Sequence, residues 1–131
     1  MVMDIFLIGS SGHTKVVIDI VEKEKKFNIV GLIDNREAVG TEINGVPVIG
    51  SDRQVEALSQ STRVQHGIIC VGDNYRRQRI RNEYNNRVPQ FEFVTTVHPS
   101  ACVSSSVEIG LGTVVMGGVT VNADCEIGEH C

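Results

Sequence analysis

Six aliphatic residues stand at strict six-residue intervals in the last third of this 131-residue chain: Val97, Val103, Ile109, Val115, Val121 and Ile127. Four positions after each is a small or β-branched residue: Ala101, Val107, Thr113, Val119, Cys125 and Cys131. A period of six matches neither the helical 3.6 nor the alternation of a strand. It fits a triangular prism in which each hexapeptide is one flat face and three complete a coil, with the leading aliphatic pointing inward. Gly110, Gly112, Gly117, Gly118 and Gly128 serve the turns, where unusual backbone angles are needed. Residues 97–131 fall one residue short of two 18-residue coils, and no capping segment follows. Solenoids of this kind need about three repeats and a cap. The expectation is therefore an N-terminal piece of a longer protein, with a short protein that closes its end by oligomerising as the alternative.

Composition breaks where the period begins. Residues 1–93 hold all twelve Lys and Arg, all four Phe, both Tyr and twelve of the sixteen acids, so they are neutral. Residues 94–131 hold no basic or aromatic residue and carry the whole net charge of −4. The division implies two architectures, 1–93 and 94–131. The negative balance argues against nucleic acid as a partner. No apolar run approaches the ~18 residues of a membrane span. The N-terminus MVMDIFLIGSSG lacks the basic start of a signal peptide. Cys70, Cys102, Cys125 and Cys131 show no CxxC spacing. They read as reduced packing residues of a cytoplasmic protein, not as a metal site or disulfide frame.

The first 93 residues alternate strand and helix signals. Apolar runs at Asp4–Ile8, Ile29–Ile33, Val46–Ile49, His66–Val71 and Phe91–Thr95 predict buried strands. Val16, Val17, Ile20 and Val21 have helical spacing within a helix from His13 to about Lys26. Ser51 is placed to cap a helix to about Ser59, and Asp73 or Asn74 one to about Asn86. This alternation predicts a Rossmann-like parallel sheet.

Three strand ends converge on one crevice and carry the candidate chemistry. Gly9-Ser10-Ser11-Gly12-His13-Thr14-Lys15 lies between the first strand and helix. Helix N-terminal N–H groups there form an anion site, Ser11 adds a hydroxyl and His13 a donor, unless the segment is a bare turn. It is neither GxGxxG nor a Walker A loop. Asp34, before Asn35, lies 22 residues after Gly12, where dinucleotide folds place a ribose-binding acid. A turn acid is the other reading. Gly72 allows close approach at a third strand end, and Arg77 of the following helix either reaches a phosphate or stays on the helix surface. Arg76, Arg77, Arg79 and Arg81 read as the solvated face of one helix, since the half-chain is neutral. His98, before Pro99, and His130 read as turn residues.

Together, IGSSGHTKVVIDI at 8–20, LIDN at 32–35, GVPVIG at 45–50, VGDNYRRQRI at 71–80 and the hexapeptide tract 97–131 resemble the sugar acetyltransferases of the NeuD/PglD type, the sialic-acid O- and bacillosamine N-acetyltransferases. The resemblance implies a Rossmann-like domain followed by a left-handed parallel β-helix. It also implies acetyl-CoA as donor, a homotrimer, and transfer to an amino or hydroxyl group of a nucleotide-linked sugar or sialic acid in bacterial surface glycan biosynthesis. By motif match, Ser11, Gly12 and His13 contact the substrate near the first turn. Asp34 and Asn35 contact its nucleoside end, and Gly72 lies in the same pocket. In such enzymes the catalytic His, its acidic neighbour and the acetyl-CoA groove lie beyond the position of Cys131. No catalytic role passes to His130, and this chain is expected to keep substrate binding without the chemistry. Two alternatives remain: an NAD-dependent oxidoreductase domain, against which the missing third Gly and the hexapeptides count, and a non-catalytic trimeric scaffold.

Overall fold

The computed structural model describes residues 2–9, 12–104, 108–109, 112–121 and 126–127. Its first part is a six-stranded sheet. The elements in chain order are β1 (Met3–Ile8), α1 (Gly12–Glu24), β2 (Phe27–Ile33), β3 (Glu42–Ile43), β4 (Val46–Gly50), α2 (Val55–Thr62), β5 (His66–Ile69), α3 (Asn74–Arg87) and β6 (Glu92–Phe93). The sheet order is β3-β4-β2-β1-β5-β6. All neighbours are parallel except β3, which forms a short antiparallel hairpin with β4. The Asn44-Gly45 turn of that hairpin has positive φ at both residues, 48° and 83°.

The order reverses at β1. From there the chain runs outward through β2 to β4, then returns to place β5 on the other side of β1. Open sheets of this kind leave a crevice outside the strand carboxyl ends at such a reversal. Ile5, Phe6, Leu7 and Ile8 of β1 are all buried, because helices cover both faces of a parallel sheet. One face packs Ile5 and Leu7 against Val17, Ile18 and Val21 of α1. The other packs Phe6 and Ile8 with Val55, Tyr84, Val88, Phe91 and Phe93.

The predicted strands and helices are found with shifted ends. Ser51 precedes a single 3-10 turn (Asp52–Gln54) before α2, and the Gln54 Oε1 accepts the Ser51 N–H at 3.0 Å. Asp73 is the cap of α3, its Oδ1 accepting the N–H groups of Tyr75 (2.8 Å) and Arg76 (3.3 Å). The run Phe91–Thr95 is not one strand. It leaves the sheet after Phe93, and Thr96 opens a different ladder.

That second part consists of three two-stranded parallel ladders. β7 (Thr96–Val97) pairs with β10 (Val114–Val115), β8 (Cys102–Val103) with β11 (Thr120–Val121), and β9 (Glu108–Ile109) with β12 (Glu126–Ile127). Every paired residue meets the one 18 positions on, the offset that three hexapeptides require. Gly112 and Gly118 sit between strands with φ of 76° and 75°. Val115 and Thr113 are buried, while Val97 and Val103 are only half-buried. A two-stranded ladder covers each strand on one edge, so the inward positions close incompletely. The expected packing role fails for Cys102, which is exposed. It holds for Cys70, which is fully buried. Cys125 and Cys131 lie outside the described residues.

The two parts meet at the end of α1. The half-buried Glu24 carboxylate accepts the Thr96 hydroxyl at 2.8 Å through Oε1 and the Val97 N–H at 3.2 Å through Oε2. Lys26 Nζ lies 3.7 Å from the same Oε2. Among the described residues no helix is long and apolar enough to cross a membrane.

Candidate functional site

A cavity of about 260 Å3 opens at the carboxyl ends of β1, β2 and β5. Ile8, Gly9, Ile33 and Val71 form its apolar floor, Asp34, Asn35, Arg36 and Asp52 one side, and Arg76 and Ile80 of α3 the other.

Gly9 is where the first turn needs glycine. Its φ is +90°, and a Cβ there would lie 2.7 Å from Val71 Cγ2. Its N–H donates to the Ile33 carbonyl at 2.7 Å, while the Cys70 N–H donates to the Ile8 carbonyl at the same distance. The three strand ends are thereby tied together under the cavity. Thr14, fully buried, donates its hydroxyl to the Gly9 carbonyl at 3.3 Å and anchors the start of α1 to this turn. That tie was not legible in the motif.

Asp34 is buried beneath its loop. Its Oδ2 accepts the N–H groups of Arg36 (3.3 Å) and Glu37 (2.8 Å). The turn-acid role is therefore observed, at a residue that also faces the cavity. Asn35 is held by a reciprocal pair: its Nδ2 donates to Asp52 Oδ2 at 2.9 Å, and its Oδ1 accepts the Asp52 N–H at 3.0 Å. The partners fix which end of the amide is which. One N–H and one lone pair remain for another group.

Asp52 is the residue that the sequence reading passed over. Its Oδ1 accepts the Tyr84 hydroxyl at 3.0 Å, and its carbonyl accepts from Arg87 Nη2 at 2.8 Å. Burial, reinforced by Asp52, pushes the Tyr84 phenol far above its ordinary range, so it stays a donor. The helix-capping pattern around Ser51 was the only sequence signal here, and it says nothing about a partner 32 residues away.

The other expected site residues are placed as follows. Ser11 lies outside the described residues. Gly12 opens α1, and the half-buried His13 follows it. Burial, and after it the Arg77 guanidinium, hold the His13 imidazole below its ordinary value of 6.5, so it is neutral at pH 7. Gly72 is exposed, immediately after Val71, with open space where a Cβ would stand. Arg76, Arg77, Arg79 and Arg81 of α3 do not share one solvated face. Arg76 and Arg79 are exposed and line the crevice, whereas Arg77 and Arg81 are half-buried. His98 takes the structural role expected of it: its Nδ1 accepts the Ser100 N–H at 3.0 Å and lies 2.8 Å from the Ser100 hydroxyl. His130 lies outside the described residues.

The PglD N-terminal domain family matches residues 4–84, more than half of the chain and nearly all of this sheet. This chain belongs to that family. Among curated proteins, UDP-N-acetylbacillosamine N-acetyltransferase of Bacillus subtilis is 29% identical over 113 residues, covering 86% of this chain and 51% of that protein. Among solved structures, a variant of perosamine N-acetyltransferase from Caulobacter crescentus, in complex with CoA and GDP-perosamine, superposes with a TM-score of 0.87. It is 32% identical and covers 99% of this chain and 59% of its own. The acetyltransferase domain of PglB from Neisseria gonorrhoeae, in complex with acetyl coenzyme A, gives a TM-score of 0.80 at 27% identity, covering 99% and 60%. This PglD-type chain thus spans between half and two thirds of the length of these relatives. All the described residues that line the strand-end cavity lie within the matched segment.

Proposed function

We propose that this chain takes part in acetyl-CoA-dependent acetylation of an amino or hydroxyl group on a nucleotide-linked sugar, and that its crevice holds the nucleotide end of that substrate. One observation carries the reading. Asp34, Asn35 and Gly9 open on a single cavity at the reversal point of the sheet, in a chain similar along nearly its whole length to a perosamine N-acetyltransferase solved with a nucleotide sugar. Ser11, Gly12 and His13 belong to the substrate contact at the first turn, Asp34 and Asn35 to the nucleoside end, and Gly72 to the same pocket. Residues 1–93 form the Rossmann-like binding domain. Residues 94–131 begin a left-handed parallel β-helix, a reading supported by the 18-residue pairing offset. Side-by-side packing of such prisms gives a homotrimer. The setting is the cytoplasm of a cell that builds surface glycans.

In the reaction, the acceptor nitrogen or oxygen attacks the thioester carbonyl, the carbon–sulfur bond breaks, and the CoA thiol leaves. The proton lost by the acceptor passes through a general base to that thiol. No residue of this chain is assigned as the base. Cys70 is no nucleophile, since burial pushes its thiol well above the ordinary range.

The test is a thermal shift with UDP, GDP, CMP, dTDP, NAD and acetyl-CoA, each alone. A ligand at ~100 times its dissociation constant adds about 2.7 kcal/mol, enough for several degrees in a small domain. Stabilisation by a nucleotide of the sugar-carrying kind, with none from NAD, is the expected result. Stabilisation by NAD alone, or by nothing, overturns the binding role.

A further inference from the structure

Asn35 and Asp52 line both the strand-end cavity and a second one of about 250 Å3 beside α3. Asn35 is exposed, on the loop that follows β2, yet its side chain is held at both polar atoms by one residue. An exposed amide ordinarily samples several rotamers and both amide orientations, and a ligand bound through it must remove that freedom. Asp52 removes it beforehand. Its carboxylate accepts from Nδ2, and its backbone N–H donates to Oδ1. A flipped amide would set donor against donor and oxygen against oxygen. The amide is therefore locked, and its remaining N–H and lone pair are set in place before a ligand arrives.

Asp52 is itself anchored from α3. The buried Tyr84 donates its hydroxyl to Asp52 Oδ1 at 3.0 Å, and Arg87 Nη2 donates to the Asp52 carbonyl at 2.8 Å. Tyr84 packs against Phe91 and Phe93, with ring centroids 5.3 and 5.9 Å away. A close-packed ring in such a core has little room to shift. Rigidity passes from the aromatic core through Tyr84 to the half-buried Asp52, and from Asp52 to the Asn35 amide. Each Asp52 oxygen takes one of these bonds and keeps a lone pair, so direct contact with a ligand is the rival role.

We infer that Asp52 is a positioning residue for ligand binding in the crevice: it presets the Asn35 amide, with Tyr84 as its own anchor. This rests on the reading of the crevice as the seat of a nucleotide.

The test is calorimetric titration of the intact chain with GDP and with UDP, well below every melting transition. The parent is compared with Asn35→Ala, Asp52→Ala and the double variant. Asn35→Ala is expected to weaken the better-bound nucleotide about tenfold, and Asp52→Ala about three- to tenfold. The double variant loses no more than Asn35→Ala alone, because Asp52 then has nothing to position. Asp52→Asn keeps the shape and the backbone N–H but accepts on one side-chain atom only, so it loses less than Asp52→Ala. It also closes the cycle if Asp52→Ala does not fold. Tyr84→Phe weakens binding about twofold, and only where Asp52 is present. Glu24→Ala, which disturbs the chain at the joint with the ladders, binds as the parent does. Parental affinity in the Asp52 variants, or in Asn35→Ala, overturns the positioning role while the nucleotide reading stands. A further loss in the double variant also overturns it and marks Asp52 as a direct contact. Binding of neither nucleotide to the parent overturns both.

Discussion

Single residues in this chain act through what surrounds them, and glycine shows it most plainly. Gly9 has φ +90° and a wall of Val71 at 2.7 Å, whereas Gly72 has open space. Gly9→Ala combines backbone strain with a clash and is expected to cost about 1–3 kcal/mol in denaturant unfolding. Gly72→Ala is expected within about 0.5 kcal/mol of the parent. Equal costs at the two sites would contradict the placement of the first turn. His13 carries a pH signature. Its native pKa is lowered by burial and by Arg77, while the unfolded chain titrates near 6.5. Below 6.5 the unfolded state binds the proton first, so stability is full above that pH and is lost as pH falls toward the lowered native value. His13→Gln should flatten the melting temperature in that window. Parallel pH profiles for the two proteins would refute the claim. Tyr84, 1% exposed, relies on Asp52 as the acceptor for its hydroxyl. Asp52→Ala leaves that donor stranded at a cost of about 1–3 kcal/mol, whereas Tyr84→Phe, which removes the donor itself, costs about 0.5–1.5 kcal/mol. Urea midpoints decide the order.

Among the elements, α1 has duties at both ends. Its first turn is tied by Thr14 to the Gly9 turn beneath the crevice, and its last residue, Glu24, takes hold of Thr96 and Val97. A half-buried carboxylate that takes two donors from the next part of the chain is a joint between the two. Glu24→Ala is expected to raise amide hydrogen exchange in 96–103 by an order of magnitude or more, at about 1–3 kcal/mol of local opening. The β1 amides should change far less. Uniform change across both parts would mean that Glu24 supports the whole fold and not the joint. In α3, the apolar Ile80 and Tyr84 turn one side toward the sheet, which leaves Arg76, Arg79 and Glu83 on the flank that faces the crevice.

For the whole molecule, the reversal of strand order at β1 puts the crevice on the carboxyl edge of the sheet, while Thr96 starts the ladders beside the end of α1. The last strand of the sheet ends at Phe93, and the first ladder strand begins at Thr96. Much of this was legible. A buried parallel strand must be a continuous apolar run, so β1, β2 and β5 show in the sequence. A hexapeptide must repeat its inward residue, so the 18-residue offset follows from Val97 to Ile127. Less legible were the strand ends, the small antiparallel β3, and the exposure of Cys102, since a two-residue strand carries almost no periodic signal.

By itself the sequence determined the order of strands and helices, the coil period, the Asp73 cap and the turns that gather at the crevice. Each of these is local: it depends on residues within one turn or one repeat. Only the tertiary structure decided that Asp52 would meet Tyr84, 32 residues on, that Glu24 would meet Thr96, 72 residues on, and that Arg76 and Arg79 would part from Arg77 and Arg81. Such choices depend on the rotation of a helix about its axis. In α3 that rotation is set by where two apolar side chains find room in a core assembled from distant strands, not by the largely polar helix sequence.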